Sequence, residues 1–242
     1  MNPGILLRSC LFALFQIVTT PVFTVISLAT FPFQPLTRYR VISNWARINI
    51  AAVRILCGIR YRVIGSAHIP REPCIILSKH QSAWETLAYQ VIFPPHVWVL
   101  KRELLWVPFF GWGLAMLSPI AIDRGAGARA LRQTLDQGRE RLKGGFSIVI
   151  FPEGTRIAPG KRGKYHPGGA WLAVQTGAPV LPVAHNAGEF WRRNAFLKHP
   201  GLVTVSIGPP IKPQEMSADA LNRQVEDWIE SEMQRITTHG QT

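Results

Sequence analysis

From residue 74 onward the chain alternates short apolar runs of strand type with longer stretches of helical periodicity, and this order narrows the fold more than any other feature. The strand candidates are residues 74–77, 97–100, 120–122, 147–151, 180–183 and 203–207, rich in Val and Ile and bounded by Gly, Pro or charged residues. Helix candidates at 83–91, 103–117, 127–142 and 169–176 intervene, and 218–236 follows the last strand. Parallel strands need a crossover, most often a helix. The alternation therefore predicts an α/β domain with a largely parallel mixed sheet flanked by helices. At 242 residues and 47% apolar, the chain can bury one such core and carry an appendage. Sheets of this kind bind ligands beyond the carboxyl ends of their strands, so chemistry is to be sought there.

Four polar stretches follow the first four strand candidates: Ser78-Lys79-His80-Gln81-Ser82-Ala83-Trp84-Glu85, Lys101-Arg102-Glu103, Asp123-Arg124-Gly125 and Pro152-Glu153-Gly154-Thr155-Arg156. One sheet edge then gathers His80, Glu85, Lys101, Arg124, Glu153 and Arg156, a candidate general base among phosphate-binding groups. Five residues of continuous helix turn a side chain through about 500°, which would leave His80 and Glu85 about 140° apart. They pair only if His80 stands at the strand end and Glu85 in the first turns of the next helix. Glu85 would then accept from one ring nitrogen and leave the other free to take a proton. A surface histidine near a helix start fits this motif, taken alone, equally well.

Phe151-Pro152-Glu153-Gly154-Thr155-Arg156 is the stronger signal. A strand ending in a Pro-x-Gly turn, with a hydroxyl and a guanidinium directly after it, offers backbone N–H groups and a forked cation to a phosphate. A tight turn with a solvated arginine is the plainer alternative. Lys161, Arg162 and Lys164 guide an anionic substrate or form a solvated basic loop. The chain has no Gly-x-Ser-x-Gly elbow, no Walker-type loop and no His-Glu-x-x-His helix, so a substrate hydroxyl is the expected nucleophile. Ser78 and Ser82 are the rivals within reach of His80, without an elbow to expose them.

The net charge of +13 calls for an anionic partner, and its distribution says which. Eight arginines and no acid precede Glu72, interleaved with the most apolar part of the chain. Residues 9–33 form an uncharged run of 25, long enough to cross a hydrocarbon core, with Pro21 in its middle as a possible kink. It is a poor signal peptide, lacking a basic start beyond Arg8 and a small-residue cleavage site. Arg40, Arg47 and Arg54 then recur every seven residues on one helical stripe amid Val41, Ile42, Trp45, Ile48, Ile50, Val53, Ile55 and Leu56. This describes an embedded helix with a cationic ridge for lipid phosphates. The division expected is a membrane-embedded helical segment over 1–64 and an α/β domain over 65–242, with a Pro-bounded joint at 68–73. If the first run spans, the arginine excess on its C-terminal side places the rest of the chain in the cytoplasm, at the inner membrane. A re-entrant or surface-lying hairpin fits the same residues. Cys10, Cys57 and Cys74 form no Cys-x-x-Cys pair, so neither a disulfide framework nor a cysteine zinc site is indicated. Basic residues interleaved with a membrane-type surface, and no recognition motif, argue against nucleic acid.

These motifs resemble those of the 1-acylglycerol-3-phosphate acyltransferase family, bacterial type, over about residues 55–215. Lys79-His80-Gln81-Ser82-Ala83-Trp84-Glu85 stands where the family has Asn-His-x4-Asp. Ile120-Ala121-Ile122-Asp123-Arg124 resembles its second block, 151–156 is its third, and Val180-Leu181-Pro182-Val183 its fourth. The resemblance implies transfer of a fatty acyl group from acyl-CoA or acyl carrier protein to the sn-2 hydroxyl of 1-acylglycerol 3-phosphate (lysophosphatidic acid), giving phosphatidic acid. It implies His80 as base oriented by Glu85, with Arg124, Glu153, Gly154, Thr155 and Arg156 holding the acceptor's phosphate and glycerol. Lys101 would support the phosphate or the developing oxyanion, and residues 180–183 would shape the acyl tunnel. No cofactor and no metal is implied. Two departures stand out: Lys79 for the usual Asn, and Glu85 for the usual Asp. Related lipid A acyltransferases use a similar His-x4-acid block, so another lysolipid acceptor is the competing activity. A non-catalytic binder of anionic lipid is the competing class, and it leaves two motifs at strand ends unexplained.

Overall fold

The computed structural model describes residues 2–123 and 127–237. Two helices open the chain, α1 (Pro3–Ala29) and α2 (Pro35–Cys57). Asn2 caps the first by accepting from the Gly4 N–H, and Pro3 and Pro35 sit where a helix tolerates a missing donor. Pro21 does not split α1; it cannot donate to the Ile17 carbonyl, yet the helix continues through it. The two helices form a hairpin tied by polar side chains, Gln16 Nε2 donating to Asn49 Oδ1 at 3.2 Å and Trp45 Nε1 to Thr19 Oγ1 at 3.3 Å. The outward side of α1 exposes Leu14, Ile17, Val18, Val22 and Val25.

Arg40, Arg47 and Arg54 are exposed on α2, as the seven-residue spacing predicts. Its opposite face is buried in protein: Ile42, Ala46, Ile50 and Val53 pack beneath the sheet and the next helix. Gly58, at φ +71°, then turns the chain from helix directly into β1 (Ile59–Ile64), a backbone state that a side chain would strain. β1 escaped the sequence reading because Arg60 and Arg62 alternate outward from Ile59, Tyr61 and Val63, giving an edge strand the look of a polar linker. It pairs in parallel with β7 (Gly201–Ile207), so the sheet begins at Ile59, ahead of the boundary expected at 64/65.

The remaining strands are β2 (Ile75–Ser78), β3 (His96–Lys101), β4 (Ile120–Ile122), β5 (Ser147–Ile150) and β6 (Val180–His185). They form a seven-stranded sheet in the order β1-β7-β6-β2-β5-β3-β4, parallel except where β6 meets β7. Helices α3 (Trp84–Ile92), α5 (Ala128–Lys143), α6 (Gly168–Thr176) and α7 (Ala218–Ile236) lie where helical periodicity predicts them. Ser217 caps α7 by accepting from the Ala220 N–H at 3.2 Å. The helix expected over 103–117 is instead a 3-10 turn, Arg102–Trp106, and a short α4, Phe110–Ala115. Pro108 between them lacks a donor and holds Val107 extended, at ψ 118°.

The central strands are buried on both faces, and their alternate side chains feed two cores. Ile76, Val149, Leu181 and Val205 meet α2 and α3, whereas Ile75, Leu77, Ile148 and Val180 meet α6 and α7. Each such side chain contributes about 1.5–3 kcal/mol on burial. The sheet is thereby a rigid platform whose β2 and β5 ends stand side by side.

Candidate active site

The loop between β2 and α3 brings His80 and Glu85 together by the corner that their spacing demands. His80 Nδ1 lies 2.8 Å from Glu85 Oε1, and the same oxygen accepts the Gln81 and Ser82 N–H groups at 2.9 and 2.8 Å. Glu85 is fully buried in the first turn of α3. Burial alone would raise its pKa; with the His185 ring nearby, the bonds from His80 and the Ser82 amide hold it below the ordinary carboxylate value. The ionised carboxylate fixes the His80 proton on Nδ1 and leaves Nε2 as the basic nitrogen. The imidazole also stacks on Phe151, centroids 3.8 Å apart and planes within 11°, and Phe151 stacks in turn on Trp98. Ring orientation is thus set by a hydrogen bond at one edge and an aromatic face.

A second histidine, unnoticed in the sequence, lies behind this pair at the end of β6. Burial lowers the pKa of His185, with the Glu85 carboxylate acting against that shift. Ala187 N–H donates to its Nδ1 at 3.2 Å, so the proton sits on Nε2 and is given to the Lys79 carbonyl at 2.9 Å. The serines that rivalled a substrate hydroxyl are both occupied inside the protein. Ser78 Oγ bonds the Tyr89 hydroxyl at 2.6 Å, and Ser82 Oγ accepts from the Trp84 N–H at 3.1 Å.

Beyond β5 the chain turns tightly at Gly154, φ +67°, whose N–H donates to the Phe151 carbonyl. Glu153, expected beside the acceptor's phosphate, is turned inward and buried. Its Oε2 accepts the His80 backbone N–H at 3.0 Å, and its Oε1 takes Lys79 Nζ at 2.7 Å. Burial raises its pKa, with Lys79 acting against that shift. The motif's carboxylate serves the histidine's backbone, while Gly154, Thr155 and Arg156 after it are at least partly exposed.

These residues border a cavity of about 930 Å³, the size of a sizeable ligand. His80, Lys101, Gly154, Thr155, Arg156 and Arg193 are among its polar lining. Arg193 was not foreseen. It follows β6 on an irregular segment that carries no strand or helix signal, and its Nη1 donates to the Arg156 carbonyl at 3.0 Å. The apolar lining comes from α1, α2, α3 and α4, for example Phe23, Ile42, Trp45, Leu87 and Leu114. Val180, Leu181 and Val183, expected at an acyl tunnel, are instead wholly buried in mid-sheet, because β6 lies between β7 and β2. Arg124 lies outside the described residues.

This arrangement, a histidine held at one ring nitrogen by a buried carboxylate beside cations and an apolar chamber, suits transfer of a fatty group to a phosphorylated alcohol. Comparison with known proteins agrees. An acyltransferase profile matches residues 60–186. The chain is 47% identical over 236 residues to the 1-acyl-sn-glycerol-3-phosphate acyltransferase of Pseudomonas aeruginosa, covering 96% of this chain and 92% of that one. It is 29% identical over 205 residues to the alpha enzyme of the same name from Ovis aries, covering 80% and 70%. In fold it matches the crystal structure of the 1-acyl-sn-glycerophosphate acyltransferase from Thermotoga maritima, with a TM-score of 0.79 over 97% of both chains at 21% identity. With the profile spanning more than half its length and a relative this similar along nearly all of it, the chain belongs to the acyltransferase family.

Proposed function

We propose that this enzyme moves a fatty acyl group from a thioester, acyl-CoA or acyl-carrier protein, to the sn-2 hydroxyl of 1-acylglycerol 3-phosphate, giving phosphatidic acid for phospholipid synthesis. The observation that carries this reading is His80, its Nδ1 held by buried Glu85, lining one cavity with Lys101 and Arg156. His80 Nε2 takes the hydroxyl proton as the substrate oxygen attacks the thioester carbonyl. The tetrahedral intermediate collapses, the C–S bond breaks, and the imidazolium returns its proton to the leaving thiolate. Glu85 stabilises the imidazolium in between. Arg156, Arg124 and the Gly154–Thr155 turn hold the phosphate and glycerol, and Lys101 stabilises the phosphate or the oxyanion.

We place the protein at the inner membrane with its α/β domain on the cytoplasmic side. α1 supports this: among the described residues it is the one helix long and apolar enough to cross a membrane, and little of its apolar window is buried. The test is an acceptor panel with purified protein in detergent, offering lysophosphatidic acid, other lysophospholipids, a lyso-ornithine lipid and a lipid A precursor with each thioester donor. Lysophosphatidic acid is expected to be the acceptor used. His80→Ala should abolish turnover while the protein still binds vesicles. Turnover of a different lysolipid alone would overturn the acceptor, and a trapped acyl-enzyme would overturn the one-step route.

A further inference from the structure

Lys79 stands where the family motif usually has Asn, and it is among the largest fully buried side chains in the protein. Its Nζ lies 2.7 Å from Glu153 Oε1 and 2.7 Å from Glu230 Oε1, with the Lys161 carbonyl at 3.4 Å. Glu230 belongs to α7, far along the chain from every sequence motif, and it also accepts the Tyr165 hydroxyl at 2.8 Å. A buried ammonium with two carboxylates is costly to desolvate, so its presence needs a reason other than stability.

The reason lies at the far end of the cluster. Glu153 spends its second oxygen on the His80 N–H, and the His80 carbonyl accepts from the Ile157 N–H at 2.8 Å. The backbone of the base is therefore gripped on both sides by the segment after β5. That segment is fastened to α7 by Glu230, by Arg162 on Glu226 at 2.6 Å, and by Asn222 on the Tyr165 carbonyl at 3.3 Å. We infer that Lys79, Glu230 and Tyr165 are positioning residues for the acyl transfer, a buried ionic link through which α7 sets the place of His80. None of the three lines the substrate cavity. An Asn at position 79 is too short to span Glu153 and Glu230 together, so this link belongs to chains with a long cation there.

The inference rests on the reading of His80 as the base, and the assay uses whichever lysolipid the wild-type enzyme acylates. A wrong acceptor then overturns the functional reading alone. In full-length protein in detergent, Glu230→Ala should lower kcat about tenfold or more while KM for both substrates stays within about twofold, since only the base is misplaced. Glu230→Gln keeps an oxygen that accepts from Lys79 and Tyr165, and should return kcat to within about threefold of wild type. Unchanged kcat in folded Glu230→Ala, a KM rise that accounts for the loss, or Gln faring no better than Ala would each overturn the proposal. If Glu230→Ala shows no cooperative melt, Tyr165→Phe decides, because it removes a single hydroxyl. Its kcat should fall about twofold to threefold at constant KM, and an unchanged kcat would sink the idea.

Discussion

At the residue scale, the spacing of His80 and Glu85 is informative because it is wrong for a helix. A histidine and an acid five positions apart meet only across a corner, and the structure supplies that corner with Glu85 taking three hydrogen bonds on one oxygen. The longer side chain, a departure from the usual Asp, reaches the ring at ordinary bonding distance. Glu85→Gln should lower kcat by about three orders of magnitude, because the amide cannot stabilise an imidazolium and disturbs the tautomer. The same residue sets a stability prediction. Its folded pKa is depressed, so its contribution is complete above the unfolded carboxylate value of about 4.3 and is lost as pH falls through the lowered folded value. Melting temperatures of wild type and Glu85→Gln should therefore differ most near neutrality and converge on acidification. A gap that ignores pH would mean the carboxylate is not the ionised group. Arg193, seated on the Arg156 carbonyl at the cavity, is expected to meet the anionic end of the acceptor. Arg193→Ala should raise KM for lysophosphatidic acid about tenfold with little change in kcat, the loss of one charge-assisted contact. Steady-state kinetics would show the idea wrong if kcat fell instead.

At the scale of elements, α2 shows how one helix serves two surroundings. Its buried face belongs to the protein core, and its Arg40, Arg47 and Arg54 face away from it. Replacing all three by Gln should weaken binding to vesicles containing anionic lipid by about 1 kcal/mol per arginine, and leave binding to neutral vesicles alone. Equal weakening on both, measured by flotation, would assign the ridge a structural part. The turn and short helix at Arg102–Ala115 are the element that sequence periodicity misjudged. Pro108 breaks the expected helix, and Trp106, Phe109, Phe110 and Trp112 are left exposed beside α1, where Thr24 Oγ1 bonds the Phe109 carbonyl at 2.8 Å. A continuous helix would have turned part of that apolar face inward. Proline's missing donor was visible in the sequence, and its consequence depended on whether neighbouring helices would hold the broken ends.

At the scale of the molecule, the features legible without coordinates were those that local physics decides. Strand and helix periodicity identified the α/β order, the run at 9–33 identified the apolar N-terminal helix, and residues 151–156 after a strand identified a turn beside the site. A corner for His80 and Glu85 followed from helix geometry alone. The tertiary structure decided whatever depends on contacts between residues far apart in the chain. It recruited Ile59–Ile64 as an edge strand by pairing it with Gly201–Ile207, a partnership that no window containing two arginines announces. It turned Glu153 from a phosphate ligand into the acceptor of the His80 N–H, because burial leaves a carboxylate no choice but its nearest donors. It buried β6 between β2 and β7 and so lined the cavity with helices instead. It also brought Glu230 across 151 positions to Lys79, an attraction whose strength exists only once water has been excluded from around both. Sequence determines which residues are capable of such chemistry; the packed fold determines which of them meet, because desolvation and distance are properties of the assembled core.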